Sequence, residues 1–73
     1  MTKEIDIQEL IPFMKKGWVA MDKDGYWVWF SYKPFIEDRD NWLVSDGMFE
    51  PLTAFNIKSV SDWTKSLIKV ENE

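Results

Sequence analysis

The chain has 73 residues and a formal net charge of −4, and it contains neither cysteine nor histidine. The length predicts a single domain over residues 1–73, while the missing cysteines exclude a disulfide framework and a thiolate zinc site. The missing histidines remove the commonest general base and metal ligand, and the negative charge disfavours a protein that follows nucleic-acid phosphates. Because no apolar run reaches the roughly 20 residues of a membrane span and the N-terminus lacks an apolar signal region, we expect a cytoplasmic protein.

Residues 6–16 predict a short amphipathic helix. Their apolar side chains recur at helical spacing and should face a sheet: Ile7, Leu10, Ile11 and Met14. Asp6 and Glu9 have the spacing of a capping box, and Gly17 is a suitable stop in the left-handed region. Pro12 conflicts with a continuous helix because it lacks an amide hydrogen, so we expect either a kink there or a later start, near Ile11.

Residues 17–34 predict a β-hairpin, around which the rest of the chain is organised. Two runs rich in aromatic and β-branched residues, 18–21 and 26–32, flank the sequence DKDG at residues 22–25. Asp-Gly between such runs is a strong hairpin signal, because tight turns need a residue with positive φ. We expect Gly25 to supply it, either in a type I′ turn or at the left-handed position of a loop with a bulge.

The length of this turn decides which side chains share a face of the hairpin. A two-residue turn pairs Met21 with Val28, which gives one uniformly apolar face for the helix. The other face then mixes tryptophan with polar groups, as an interface does, and predicts a surface for partner binding or self-association: Trp18, Trp27, Trp29 and Asp22. A three-residue turn shifts the register by one residue, places Trp27 opposite Met21, and makes these tryptophans core.

The remaining chain predicts short strands. Residues 42–45 should form a third strand, closed by the Asp-Gly pair at residues 46–47, and residues 65–71 should form a last strand. Residues 35–41 indicate a polar loop, and residues 48–51 fit either a strand or a loop. The fold class is therefore α+β, with a short N-terminal helix packed on a small antiparallel β-meander of three to five strands.

The carboxylates are the remaining candidates for chemistry, and local structure explains them better. Asp22 and Asp24 lie in the hairpin turn, where aspartate is favoured for hydrogen bonds to the backbone. A calcium loop starting at Asp22 would need a bidentate glutamate where the chain has Lys33. A polar loop carries a secondary acidic patch: Glu37, Asp38 and Asp40. We therefore expect no catalytic residue, no metal site and no cofactor.

The hairpin sequence also resembles a known group of proteins. The W-V-A-x-D-x-D-G run at residues 18–25, the K-P pair at residues 33–34 and the ending with Phe55, Trp63 and LIKV carry the likeness. They resemble the short uncharacterised proteins encoded by bacteriophages, prophages and other mobile elements. The resemblance implies a shared small architecture over residues 17–70 and a place in the cytoplasm of a bacterial host cell, and it implies no catalytic residue.

Three functions remain open from the sequence. The first is a non-enzymatic phage-type interaction protein that binds and modulates a host protein, such as a bacterial defence component, and that also forms a homodimer. The second is a binder or sponge for a small nucleotide-like molecule, formed in a homo-oligomer. The third is a single-strand nucleic-acid binder, which the aromatic residues permit and the net charge disfavours.

Overall fold

The computed structural model describes residues 3–36 and 41–71. A helix, α1 (Ile7–Leu10), continues into a 3₁₀ turn (Ile11–Phe13), and a second 3₁₀ turn (Trp63–Lys65) precedes the last strand. The strands are β1 (Gly17–Met21), β2 (Trp27–Phe30), β3 (Phe35–Ile36), β4 (Trp42–Leu43), β5 (Phe49–Pro51) and β6 (Ile68–Val70). One antiparallel sheet has the order β5-β2-β1-β6, and β3 pairs with β4 in a second, two-stranded sheet.

The α+β class is confirmed, but the strand arrangement differs from a meander of three to five strands. Within the described residues, six strands form two sheets, and β6 pairs with β1 although four of these strands lie between them in the sequence. Residues 35–36, expected in a loop, form β3. A strand of two residues is too short to show the alternation of apolar and polar residues by which strands are predicted. The pairing of β6 depends on contacts across most of the chain.

The helix begins as predicted and ends earlier. The side chain of Asp6 accepts a hydrogen bond from the Gln8 amide at 2.9 Å, and the Glu9 carboxylate accepts the Asp6 amide at 3.2 Å, which confirms the capping box. The α-helix stops at Leu10 because Pro12 cannot continue its hydrogen bonds, and the chain tightens into the 3₁₀ turn. Gly17 does not stop a helix. It opens β1, where a Cβ would meet the Phe30 carbonyl oxygen.

The hairpin is confirmed, but its register is the one that a three-residue loop produces. The Asp22 amide donates to the Tyr26 carbonyl at 2.9 Å, and the Gly25 amide donates to the Asp22 carbonyl at 2.9 Å. Gly25 has a φ of +93°, the left-handed position of a bulged loop. Met21 therefore lies opposite Trp27 instead of Val28. The predicted two-residue turn and its assignment of faces are wrong by one residue.

Each face of the four-stranded sheet is covered by a different part of the chain. On the helix side, the buried residues form one core cluster: Ile7, Val19, Met21, Trp27, Ile57 and Val70. Leu10, Ile11 and Met14 pack against this cluster, which confirms the predicted apolar stripe. On the opposite side, which faces β4, the buried residues form a second cluster: Ala20, Val28, Phe30 and Trp42. The sheet is thus the middle layer of the fold.

Ser66, a buried residue that precedes β6 in the sequence, forms hydrogen bonds to the end of β1. The Ser66 hydroxyl oxygen accepts the Met21 amide at 2.8 Å and donates to the Trp63 carbonyl at 2.6 Å. Ladder pairing between β1 and β6 extends only from Gly17 to Val19, so Met21 has no strand partner on that side. The serine side chain therefore satisfies a buried amide that would otherwise lack an acceptor.

Replacing Gly25 by valine should lower the free energy of unfolding by about 1–3 kcal/mol, the range for strained backbone at a non-glycine residue. A β-branched side chain strongly disfavours the positive φ of this position. Gly25→Asn is the matched control, because asparagine tolerates the left-handed region and should lose less stability. Urea unfolding measures both variants, and equal stability of Gly25→Val and the parent would contradict the loop assignment.

Ser66→Ala should lower the free energy of unfolding by about 1–3 kcal/mol, because it leaves the buried Met21 amide without its acceptor. Ser61→Ala removes a hydroxyl from an exposed residue and should change stability by less than about 0.5 kcal/mol. Chemical denaturation of the two variants provides the comparison. If both behave like the parent, the serine does not support the strand end.

Candidate functional site

Trp27 is part of the core and is almost entirely shielded from solvent. Its side chain is 3% exposed within the helix-side cluster. The indole Nε1 donates to the carbonyl of Lys58 at 3.0 Å, which ties an irregular segment to the sheet. The prediction of an exposed Trp27 is wrong because the three-residue loop turns this side chain to the face that the helix covers.

Trp29 is half-buried on the same face and lines an apolar groove between the helix and β5. Its Nε1 donates to the Lys15 carbonyl at 3.1 Å, which fixes the ring. We call this opening, of about 250 Å³, the aromatic groove; its lining residues are Leu10, Phe13, Met14, Lys15, Trp29, Glu50, Leu52 and Phe55. Lys15 and Glu50 are the charged residues of this lining, and the other six residues are apolar.

Two phenylalanines leave large apolar areas open to solvent in the aromatic groove. Phe13 ends the first 3₁₀ turn and is 86% exposed, and Phe55 is 48% exposed. The Phe55 amide donates to the Leu52 carbonyl at 3.3 Å, and the Leu52 amide donates to the Trp27 carbonyl at 2.9 Å. Sequence reasoning missed Phe13, although one signal was present: it lies outside the helical spacing of the stripe that begins at Ile7.

Trp18 lies half-buried on the opposite face of the sheet, under two lysines. The Nζ atoms of Lys33 and Lys69 lie 5.5 and 5.8 Å from the centre of its ring, within the range of cation–π attraction. Lys69 also pairs with Glu71 at 3.7 Å. The structure therefore does not bring Trp18 and Trp29 together on one surface.

Asp22 lines a second opening, between β2, β4 and β5. We call this opening, of about 380 Å³, the Asp22 cleft; its lining residues are Asp22, Tyr26, Val28, Phe30, Asn41, Trp42, Leu43, Val44, Phe49 and Pro51. The Asp22 Oδ1 atom accepts the Trp42 amide at 3.0 Å. Burial raises the pKa of Asp22; the Trp42 hydrogen bond opposes this rise, and the nearby Asp24 charge adds to it.

The predicted acidic patch of Glu37, Asp38 and Asp40 lies outside the described residues, so it stays a prediction. Within the described part of the chain, no group of three or more acidic residues is placed to hold a metal ion. Over residues 3–36 and 41–71, no helix has the length and apolar character needed to cross a bilayer. The aromatic groove, lined by Trp29, and the Asp22 cleft are two openings of the described structure that contain a predicted site residue.

Comparison with known proteins adds no family to this geometry. No family model matches the chain, and no curated protein or solved structure is significantly similar to it. The resemblance to phage-encoded proteins therefore stays a prediction, and function has to be inferred from the two surfaces.

Asp22→Asn should raise the melting temperature at pH 7. A group whose pKa is raised on folding contributes stability below its unfolded pKa and loses that contribution as the pH rises through its folded pKa. Asparagine is neutral at every pH and keeps an oxygen that can accept the Trp42 amide. Thermal melts should show a gain at pH 7 that shrinks toward acid pH, where aspartate is itself protonated.

Asp46→Asn is the matched control for this prediction, since it removes the same charge from an exposed turn. The difference between the melting temperatures of this variant and of the parent should not grow in the same way from acid to neutral pH. A lower melting temperature for Asp22→Asn than for the parent at pH 7 would contradict the prediction. It would mean that the charged acceptor for Trp42 stabilises the fold more than its burial destabilises it.

Proposed function

We propose that the chain is a small non-enzymatic interaction protein of the phage or mobile-element type that binds a host protein through the aromatic groove. The observation that carries the proposal is the exposure of Phe13 and Phe55 beside the fixed ring of Trp29. Aromatic side chains of this kind are enriched where protein partners bind.

The exposure of Phe13 needs a reason, because the fold does not use its ring. Burying a phenylalanine side chain fully contributes roughly 1.5–3 kcal/mol, a large share of the stability of a small domain. The helix stripe packs on the core without it, since Ile7 is buried and Leu10 packs against the same cluster. A partner that covers Phe13 would recover the free energy that folding leaves unused.

The size of the groove favours protein side chains over a separate small molecule. Its volume of about 250 Å³ lies below the roughly 300–1,000 Å³ of most small-molecule pockets. Lys15 and Glu50 contribute one positive and one negative charge to an otherwise apolar lining. An apolar side chain of a folded partner, flanked by polar groups of both signs, has the matching chemistry.

The class of partner follows from the resemblance stated for the hairpin sequence. Short proteins of phages and mobile elements act inside bacterial cells, and we propose a component of the host's defence as the protein that is bound. The chain's negative charge is compatible with such a soluble partner and disfavours a nucleic acid. A second copy of the chain is the competing occupant of the groove.

The double substitution Phe13→Ala with Phe55→Ala should abolish partner binding while the fold is retained. Both rings are substantially exposed, so we expect a stability loss below about 1 kcal/mol, together with an unchanged circular dichroism spectrum. Tagged parent and variant proteins are used for affinity capture from a bacterial lysate. The bound protein is identified by mass spectrometry, and its affinity for both proteins is then measured in purified form.

The matched control is Tyr32→Ala with Met48→Ala, which truncates two other exposed side chains outside the groove. This control should bind the purified partner as the parent does. Equal binding by the groove variant would contradict the proposal. Sedimentation of the parent and the groove variant tests the competing occupant: a dimer that only the parent forms would assign the groove to a second copy.

A further inference from the structure

The Asp22 cleft combines an apolar wall with a single ordered carboxylate. We propose that it binds a small organic cation whose flat apolar body lies against the aromatic walls while its ammonium or guanidinium group meets the Asp22 carboxylate. This site lies on the β4 side of the sheet and is separate from the aromatic groove.

The hairpin loop holds the carboxylate in place before any ligand arrives. The Asp22 amide and carbonyl both take part in loop hydrogen bonds at 2.9 Å, to Tyr26 and Gly25. Its Oδ1 atom accepts the Trp42 amide at 3.0 Å. A carboxylate fixed by its backbone and by one side-chain bond loses little freedom when a cation binds, which favours affinity.

The described lining of the cleft favours a cation over an anion. Partial burial raises the pKa of Asp22, the hydrogen bond from Trp42 lowers it, and the nearby negative charge of Asp24 raises it, so the ionised carboxylate has lost part of its hydration. Among the described residues that line the cleft, none is a lysine or an arginine. A bound cation would restore the Coulomb stabilisation that the carboxylate loses with its water.

The walls suit the body of such a ligand. Tyr26 and Phe49 are exposed at the cleft, and the buried side chains of Phe30 and Trp42 also line it. Aromatic rings attract cations through their negative faces and pack against flat apolar groups. The volume of about 380 Å³ lies within the range of small-molecule sites.

The same charges count against a nucleotide-like ligand in this cleft, which is the second of the three functions left open by the sequence. A phosphate group entering this cleft would meet the carboxylate of Asp22, with the negative charge of Asp24 nearby and no described lysine or arginine in the lining. Like charges at short distance repel strongly where water is partly excluded. A neutral apolar ligand would pack against the walls but would not neutralise the charge of the Asp22 carboxylate.

Benzamidine and benzamide provide a matched pair of probes, because they have nearly the same shape and only benzamidine is charged at neutral pH. Binding to the parent protein is measured by calorimetry, and the site is located by chemical-shift changes of backbone amides. We expect benzamidine to bind at least about tenfold more tightly than benzamide, as a charge-assisted hydrogen bond should provide. The shifts should concentrate at Asp22, Trp42 and Phe49.

Variants separate the carboxylate from the general charge of the protein. Asp22→Asn should bring the affinity for benzamidine down to that for benzamide, whereas Asp46→Asn should keep the preference although it carries the same net charge. Phe49→Ala should weaken the binding of both probes by a similar factor, because it removes part of the apolar wall and leaves the charge unchanged. Phe13→Ala with Phe55→Ala should bind benzamidine as the parent does, so failure of the groove proposal leaves this test intact.

Three results would overturn the proposal. The first is the absence of measurable binding of benzamidine to the folded parent. The second is equal affinity for the two probes. The third is an equal effect of Asp22→Asn and Asp46→Asn, which would reduce the preference to the net charge of the chain.

Discussion

The loop between Asp22 and Tyr26 determines which side of the sheet each aromatic side chain of β2 occupies. Its two backbone hydrogen bonds leave three residues outside the ladder and set Met21 opposite Trp27. From that pairing onward, alternate residues of β2 face opposite layers. Trp27 and Trp29 therefore reach the helix, while Val28 and Phe30 reach β4. A loop one residue shorter would exchange the two sets and leave neither layer with its packing partners.

Tryptophans hold together the parts of this chain that have no regular structure. The indole nitrogens of Trp27, Trp29 and Trp42 each donate to a backbone carbonyl outside the α-helix and the strands, at 3.0, 3.1 and 3.2 Å. The acceptors lie at Lys58, at Lys15 and at Trp63. Each ring therefore contributes apolar burial on one side and satisfies a loop carbonyl on the other. A chain that has no disulfides, and whose described helix and strands have at most five residues each, gains cross-links in this way.

Several local features of the fold could be predicted, whereas features that depend on distant contacts could not. The capping box at Asp6 and the positive φ of Gly25 follow from neighbouring residues, so the sequence was sufficient for both. The register of β2 depended on a choice between two loop lengths that both suit the DKDG sequence. The pairing of β6 with β1 depends on bringing together segments that are distant in the sequence, and a local pattern of residues does not predict such a contact. Among the candidate site residues, Asp22 lines a cleft as its place in the loop allows, whereas the burial of Trp27 followed from the register.

Strand β2 separates two surfaces by the thickness of a single strand. Trp29 lines the aromatic groove, and the next residue, Phe30, lines the Asp22 cleft. A ligand or partner in one opening therefore does not obstruct the other opening. The two occupants would nevertheless contact neighbouring residues of the same strand, Trp29 in the groove and Phe30 in the cleft. The backbone of β2 is paired on both edges, so it can neither tilt nor slide without breaking hydrogen bonds to β1 and β5. In this geometry β2 is a rigid partition between the two openings, held in place by its hydrogen bonds to both neighbouring strands.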